Sequence, residues 1–203
     1  MGSALAYRWG KANHEIFVGS RSAEKAELAA AELNRRLGTQ TVHGLANRDA
    51  AAAAEIVVLT VPFANHEAIV EEITEAVQGK IVVDTTVPLV PPKVSHVQLP
   101  EGGSVAKRTQ ENLGGNVRVV SAFQTVAAAH LAEDESVEGE VLVCGDNVEA
   151  RTIVLALVET LGLKGWHGGP IDNSVVSESL TPLLIFLNKR YRLNGAGIRI
   201  VGH

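Results

Sequence analysis

A single cysteine, Cys144, is all the thiol this 203-residue chain has, so no internal disulfide can form and a reducing cytoplasm is the expected setting. The cysteine ends an apolar run, Val141-Leu142-Val143-Cys144, which points to core packing rather than a reactive thiol. Aromatic residues make up only 4%, and the two tryptophans, Trp9 and Trp166, are too few for a platform that stacks single-stranded nucleic acid. Basic residues are no more abundant than acidic ones: 18 Lys and Arg stand against 23 Asp and Glu, for a formal charge of −5, which excludes a general nucleic-acid surface. No apolar run nears the roughly 20 residues a membrane helix needs, and no basic stretch followed by an apolar core marks a secretory leader. The seven histidines show no paired ligand spacing, so no metal site is expected. There is no G-x-S-x-G, no pair of catalytic carboxylates and no activated nucleophile, and no side chain is assigned to acid, base or covalent catalysis.

A further shortage lies at the start of the chain. Met1 to Trp9 reads as the opening of a helix, with Gly2 where the backbone could approach a pyrophosphate. The strand His14-Glu15-Ile16-Phe17-Val18-Gly19 follows, and its tip is Ser20-Arg21. A small glycine entering a helix, then a strand with a selector residue about 20 positions on, is the second half of a dinucleotide-binding fingerprint. The strand and the glycine-rich turn that would precede Gly2 are not in the sequence. The expectation is a start assigned too late, with the rest of the site intact.

What is present alternates between helix and strand. Ala23 to Leu37 is rich in strong helix formers, with Ser22 placed as N-cap and Gly38 as C-cap glycine. Residues 41–43 form a candidate short strand, and Asn47 is placed to cap an alanine-rich helix over 48–54. Residues 55–61 and 80–84 are continuous apolar runs, the pattern of strands buried on both faces of a parallel sheet, with a helix over 65–77 between them. Four of the seven prolines, at 88, 91, 92 and 100, break the pattern, and this segment reads either as a connector or as a stiff wall over a cleft. Beyond it come a helix over 104–113, a strand over 117–121, a short helix from Thr125, an acidic solvated loop over 133–140, a strand over 140–144, a helix over 147–161 closed by Gly162, and a strand over 163–167. A long apolar helix over 173–192 carries Pro182, expected as a kink or junction.

The fold class is therefore α/β, a Rossmann-type doubly wound parallel sheet lacking its first strand, with a small C-terminal α+β portion. Residues 1–121 form the expected dinucleotide-binding domain and 122–203 the smaller C-terminal portion. Ligands of such sheets bind beyond the carboxyl ends of the strands. A strand tip that selects NAD usually carries Asp or Glu, whereas here a hydroxyl, a guanidinium and, one turn on, the ammonium of Lys25 suit a 2′-phosphate. That favours NADP(H). Thr60-Val61-Pro62-Phe63 ends the strongest strand beside the expected nicotinamide position, with Val61 and Phe63 as walls and Asn65 and His66 as polar contacts; His66 reads equally well as an exposed residue at a helix start. Asp84-Thr85-Thr86-Val87-Pro88 faces the same crevice. Lys189, Arg190 and Arg192 read as a solvated basic face or as a seat for an anionic ligand, the solvated face being favoured.

Several segments together resemble the NADPH-dependent reductases of coenzyme F-420 (F420), an 8-hydroxy-5-deazaflavin. They are Gly19-Ser20-Arg21 with Lys25, Leu59-Thr60-Val61-Pro62, Thr86-Val87-Pro88-Leu89-Val90-Pro91-Pro92, Val119-Val120-Ser121-Ala122-Phe123-Gln124-Thr125, Val143-Cys144-Gly145-Asp146, Gly169-Pro170, Glu178-Ser179-Leu180-Thr181-Pro182 and Gly195-Ala196-Gly197-Ile198. The resemblance implies hydride transfer between NADP(H) and the deazaflavin, both small-molecule partners. It places 2′-phosphate contacts on Ser20, Arg21 and Lys25, and nicotinamide contacts near Thr60, Val61, Pro62 and Ala128. It places the deazaflavin near Gln124 and Val126, with walls from 180–184. The resemblance allows His at position 124, and Gln124 puts any ionisable role there in doubt. A deazaflavin takes hydride at carbon and its proton from solvent, so the two cofactors carry the chemistry. The other readings are a related NADPH reductase of an imine, a flavin or a metal ion, and a catalytically dead interaction subunit. The apolar last helix hints at a homodimer.

Overall fold

The computed structural model describes residues 1–133 and 137–202, so part of the acidic loop expected over 133–140 lies outside the described residues. In chain order the elements are α1 (Gly2–Lys11), β1 (Ile16–Ser20), α2 (Ala23–Leu37), β2 (Val42–Ala46), α3 (Asn47–Ala53), β3 (Ile56–Leu59), α4 (Phe63–Ile73), β4 (Ile81–Asp84), α5 (Val105–Leu113), β5 (Arg118–Ser121), α6 (Ala128–Ala132), β6 (Glu140–Cys144), α7 (Val148–Glu159), β7 (Lys164–Gly169), a single 3-10 turn (Ile171–Asn173) and α8 (Ser174–Tyr191). The alternation is the Rossmann-like arrangement expected from the pattern of apolar runs.

Local chemistry sets the ends of these elements. Ser22 accepts from the Lys25 amide, and Gly38 closes α2 with a left-handed φ of 69°, a conformation nearly free for glycine alone. Asn147 caps α7 in the same way, accepting from the Ala150 amide. Four expectations shift. Asn47 is the first residue of α3 rather than its cap, and its side chain donates instead to Glu72 at 3.1 Å. The short helix expected at Thr125 starts three residues later, because Phe123 and Val126 first close a turn. Pro182 sits inside α8, which runs through it without a break. Glu140, expected at the end of the acidic loop, is buried at the start of β6, where it accepts from Trp166 Nε1 at 2.8 Å.

The strands form two sheets. β1 pairs in parallel with β2, from Ile16 beside Val42 to Ser20 beside Ala46. β3, β4 and β5 pair in parallel in that order, β5 meets β6 antiparallel, and β6 pairs in parallel with β7. The two sheets are not hydrogen-bonded to each other, and the gap falls between β1 and β3. A slot of about 500 Å³ runs there, lined by Ile16, Val18, Ile56, Val58, Leu5 and Trp9 among others. β6 and β7 continue the larger sheet, so the residues after 121 share it with β3, β4 and β5.

Side-chain alternation divides the core into two layers around the larger sheet. Ile81, Val83 and Val120 face α1 and α7, meeting Leu5, Trp9, Ala150, Val154 and Val158. Leu59, Val82 and Val119 face α4 and α5, meeting Ile69, Val70, Ile73, Ala106 and Leu113. α1 is tied to both ends of the chain's middle: Trp9 donates to the Leu157 carbonyl at 3.1 Å and packs edge-on against Phe123 at 5.9 Å, while Arg8 Nε donates to the Leu131 carbonyl at 3.1 Å. Among the described residues, no helix is long and apolar enough to cross a membrane.

Candidate functional site

The carboxyl ends of β1, β3, β4 and β5 open toward one side, and the sequence-selected residues gather in two groups there. Gly2, Thr60 and Val61 line the slot between the two sheets together with Gly19. The contact between α1 and β3 is close: a Cβ on Gly2 would lie 2.6 Å from Thr60 Oγ1, so only glycine lets the helix start against the strand end. The first amides of α1 carry no side-chain cap, and such a terminus favours anions.

The β1 tip is the second group. Ser20 Oγ accepts from the Ser22 amide at 3.3 Å, which turns the chain into α2. Arg21 and Lys25 are exposed beside it. The strand tip itself carries no carboxylate, so Arg21 and Lys25 make its local charge positive.

The loops after β3, β4 and β5 hold the remaining residues. Val61 is half-buried and Pro62 exposed at the entry to α4. Val87 is half-buried and Pro88 buried, while the outer part of the proline-rich segment, with Val90, Val97 and Leu99, faces solvent. Gln124 is buried, and Val126 and Ala128 are half-buried at the entry to α6. Three buried polar atoms at this end of the sheet, Thr86 Oγ1, Ser121 Oγ and Gln124 Oε1, have no protein partner. Such atoms suit the amide and carboxamide groups of a bound ring.

Asp84, at the end of β4, is wholly buried. Its Oδ2 lies 2.8 Å from His66 Nε2 and accepts from the Thr109 hydroxyl at 2.7 Å, and its Oδ1 accepts from the Thr86 amide at 2.9 Å. Burial pushes this carboxyl up, but the His66 hydrogen bond and charge, the Thr109 hydroxyl and the Thr86 amide outweigh it and hold the group below its ordinary value. His66 is thus neither an exposed helix-start residue nor a cleft contact: it points inward to Asp84.

A second buried carboxylate, Glu178 in α8, caps α5. Its two oxygens accept from the Val105 amide at 2.8 Å and the Ala106 amide at 3.1 Å. Burial is the main cause that raises its pKa from 4.5 to about 8, with Asp84 adding repulsion against the two amides. The Cys144 thiol is buried and pushed up to about 11, chiefly by that burial, as the core-packing reading requires. Lys189, Arg190 and Arg192 are exposed. Among the described residues, no group of three or more His, Cys, Asp or Glu side chains is placed to hold a metal ion.

Sequence reasoning missed Phe123. It has a left-handed φ of 72° and a fully buried ring, an unusual state for an aromatic residue. No local signal marks it. It also missed Thr109 and Glu178, whose partners lie 25 and 73 residues away.

Comparison with known proteins bears on the family and the fold. Residues 1–88 match the family described as NADP oxidoreductase, coenzyme F420-dependent. The chain is 38% identical over 208 residues to the F420-dependent NADP reductase of Methanocaldococcus jannaschii, covering 98% of this chain and 92% of that protein. It is 36% identical over 207 residues to the F420-dependent NADP reductase of Methanothermobacter thermautotrophicus, covering 98% of this chain and 89% of that protein. A crystal structure from Arthrobacter sp. FB24, with a provisional F420-dependent NADP-reductase assignment, superposes with a TM-score of 0.82 at 27% identity, over 99% of this chain and 95% of that one. With such likeness along nearly its whole length, the chain belongs to the F420-dependent NADP reductase family.

Proposed function

We propose that the protein transfers a hydride between NADP(H) and coenzyme F420. The observation that carries this reading is the β1 tip, where Ser20, Arg21 and Lys25 gather without a strand-tip carboxylate in a chain whose relatives are F420-dependent NADP reductases. Agreement with those relatives along nearly the whole chain favours the deazaflavin over an imine, a flavin, a metal ion or an inactive interaction role.

The two bound cofactors supply the hydride donor and the carbon that accepts it. The chain's own residues bind and orient them. Ser20, Arg21 and Lys25 hold the 2′-phosphate, and the first amides of α1 at Gly2 face the pyrophosphate. Thr60, Val61, Pro62, Val87 and Ala128 flank the nicotinamide, and Gln124 and Val126 flank the deazaflavin with the 180–184 segment of α8. Small and apolar side chains there let two rings approach to roughly 3–3.5 Å and keep water out. No side chain serves as acid or base. In this arrangement residues 1–121 carry the NADP side and residues 122–203 the deazaflavin side. Val176, Leu183 and Phe186, exposed on α8, support a homodimer contact. The lone, buried cysteine fits a cytoplasmic protein.

The test mixes the full chain, NADPH and F420 and follows the deazaflavin absorbance. Loss of that absorbance supports the reading, and no NADPH binding at millimolar concentration sinks it. An Arg21→Ala variant removes charged hydrogen bonds worth about 1.5–3 kcal/mol, so NADPH affinity falls on the order of 10- to 100-fold. NADH affinity holds. Equal loss for both nucleotides would refute the selector assignment.

A further inference from the structure

Hydride transfer as described assigns no task to Asp84, a wholly enclosed carboxylate. The Asp84 side chain is 0% exposed, and its register neighbours at the strand ends are Leu59 on β3 and Ser121 on β5. A buried carboxylate contributes little to stability that an apolar residue of the same size would not supply better. What it does supply is direction, because each oxygen accepts along a defined line.

The hydrogen bonds of Asp84 stitch three loops together at one point. His66, 2.8 Å from Oδ2, ties the first turn of α4 and therefore the Thr60-Val61-Pro62 loop that leads into it. The Thr86 amide, 2.9 Å from Oδ1, ties the loop after β4. The Asp84 carbonyl accepts from the Ala122 amide at 3.2 Å and from Gln124 Nε2 at 2.8 Å, which ties the loop after β5. Between those two donors stands Phe123, with its left-handed φ of 72°. A bulky residue holds that conformation, at about 1–3 kcal/mol of strain, only where its surroundings over-determine it. Thr109 Oγ1, 2.7 Å from Oδ2 and 3.3 Å from His66 Nε2, seats the hub from α5.

We infer that Asp84, seated by Thr109 and His66, is a positioning residue that sets the relative placement of the three cofactor-facing loops. It touches neither ring. It acts through Thr86, Gln124 and the turn into α4, and the inference rests on the hydride-transfer reading of that site. Hydride transfer is sensitive to such placement, since a shift of about 1 Å in the reacting geometry can lower a rate 10²-fold. Nucleotide affinity is set mainly at the β1 tip, in the other sheet, which these bonds do not reach.

The test uses the full chain with Thr109→Val, which keeps the side chain's size and removes the hydroxyl, and Thr109→Ser, which keeps the hydroxyl. Single-turnover hydride transfer from NADPH to F420 is measured well below the melting temperature, beside the NADPH dissociation constant. For Thr109→Val the transfer rate falls on the order of 10- to 100-fold while the dissociation constant holds, and Thr109→Ser restores most of the rate. His66→Leu, which opens the hub from α4, gives the same split and stands in if the valine variant does not fold. A variant that melts earlier but transfers hydride at the wild-type rate overturns the inference, and so does a rate that falls only as far as affinity does. A wild-type chain that transfers no hydride overturns the hydride-transfer reading, and this inference with it; an active wild type with an equally fast Thr109→Val overturns this inference alone.

Discussion

Glu178 gives stability a pH dependence that runs opposite to the usual carboxylate. Its folded pKa is about 8 against an ordinary 4.5, because the side chain is buried and faces the charge of Asp84. A group whose folded pKa is raised stabilises the fold fully below the unfolded value and loses that contribution as pH rises through the folded one. Between the two values the unfolded chain has released the proton and the folded chain has kept it, so stability falls by roughly 1.4 kcal/mol per pH unit. From pH 5 to pH 8 that amounts to about 4 kcal/mol, or a melting shift on the order of 8–16 °C for a domain of this size. Glu178→Gln imitates the neutral side chain and does not titrate. The assay is the melting temperature of both proteins across pH 5–8, taken as a difference so that every other group cancels. The wild type loses ground to the variant steadily as pH rises and levels off above pH 8. A difference that stays flat would refute the reasoning. A flat difference is what a carboxylate held ionised by the Val105 and Ala106 amides would give, since its titration would then lie below this range.

Two more outcomes follow from packing. Gly44→Ala places a Cβ 2.3 Å from the backbone of Ala26 and Glu27, so α2 must move off β2, and chemical denaturation should show a loss of about 1–3 kcal/mol. The buried Cys144 thiol, pushed up to about 11, should resist a thiol reagent at pH 8 in the native protein and react at once in denaturant; rapid native labelling would contradict the core assignment.

Much of the fold is legible locally because its signals are short in range. β3 and β4 announce themselves as apolar runs, α2 by its helix formers between Ser22 and Gly38, and the β1 tip by Ser20 and Arg21. Element ends drift where a side chain finds a distant partner. Asn47 reaches Glu72 instead of capping α3, and Glu140 is drawn into the core by Trp166 and by the Ile200 amide at 2.6 Å. His66 reads as a surface residue because nothing near it in sequence reveals Asp84, 18 positions on and one strand away.

By itself the sequence determined the α/β alternation and the positive strand tip. Each is a property of residues within one or two turns of one another, where periodicity, capping and charge act directly. Tertiary structure alone decided that Asp84 collects His66, Thr109 and Thr86, that Phe123 adopts a left-handed turn, and that Glu178 caps a helix 73 residues away. The reason is physical: a buried polar group must find its partners wherever packing brings them, and that pairing has no period along the chain.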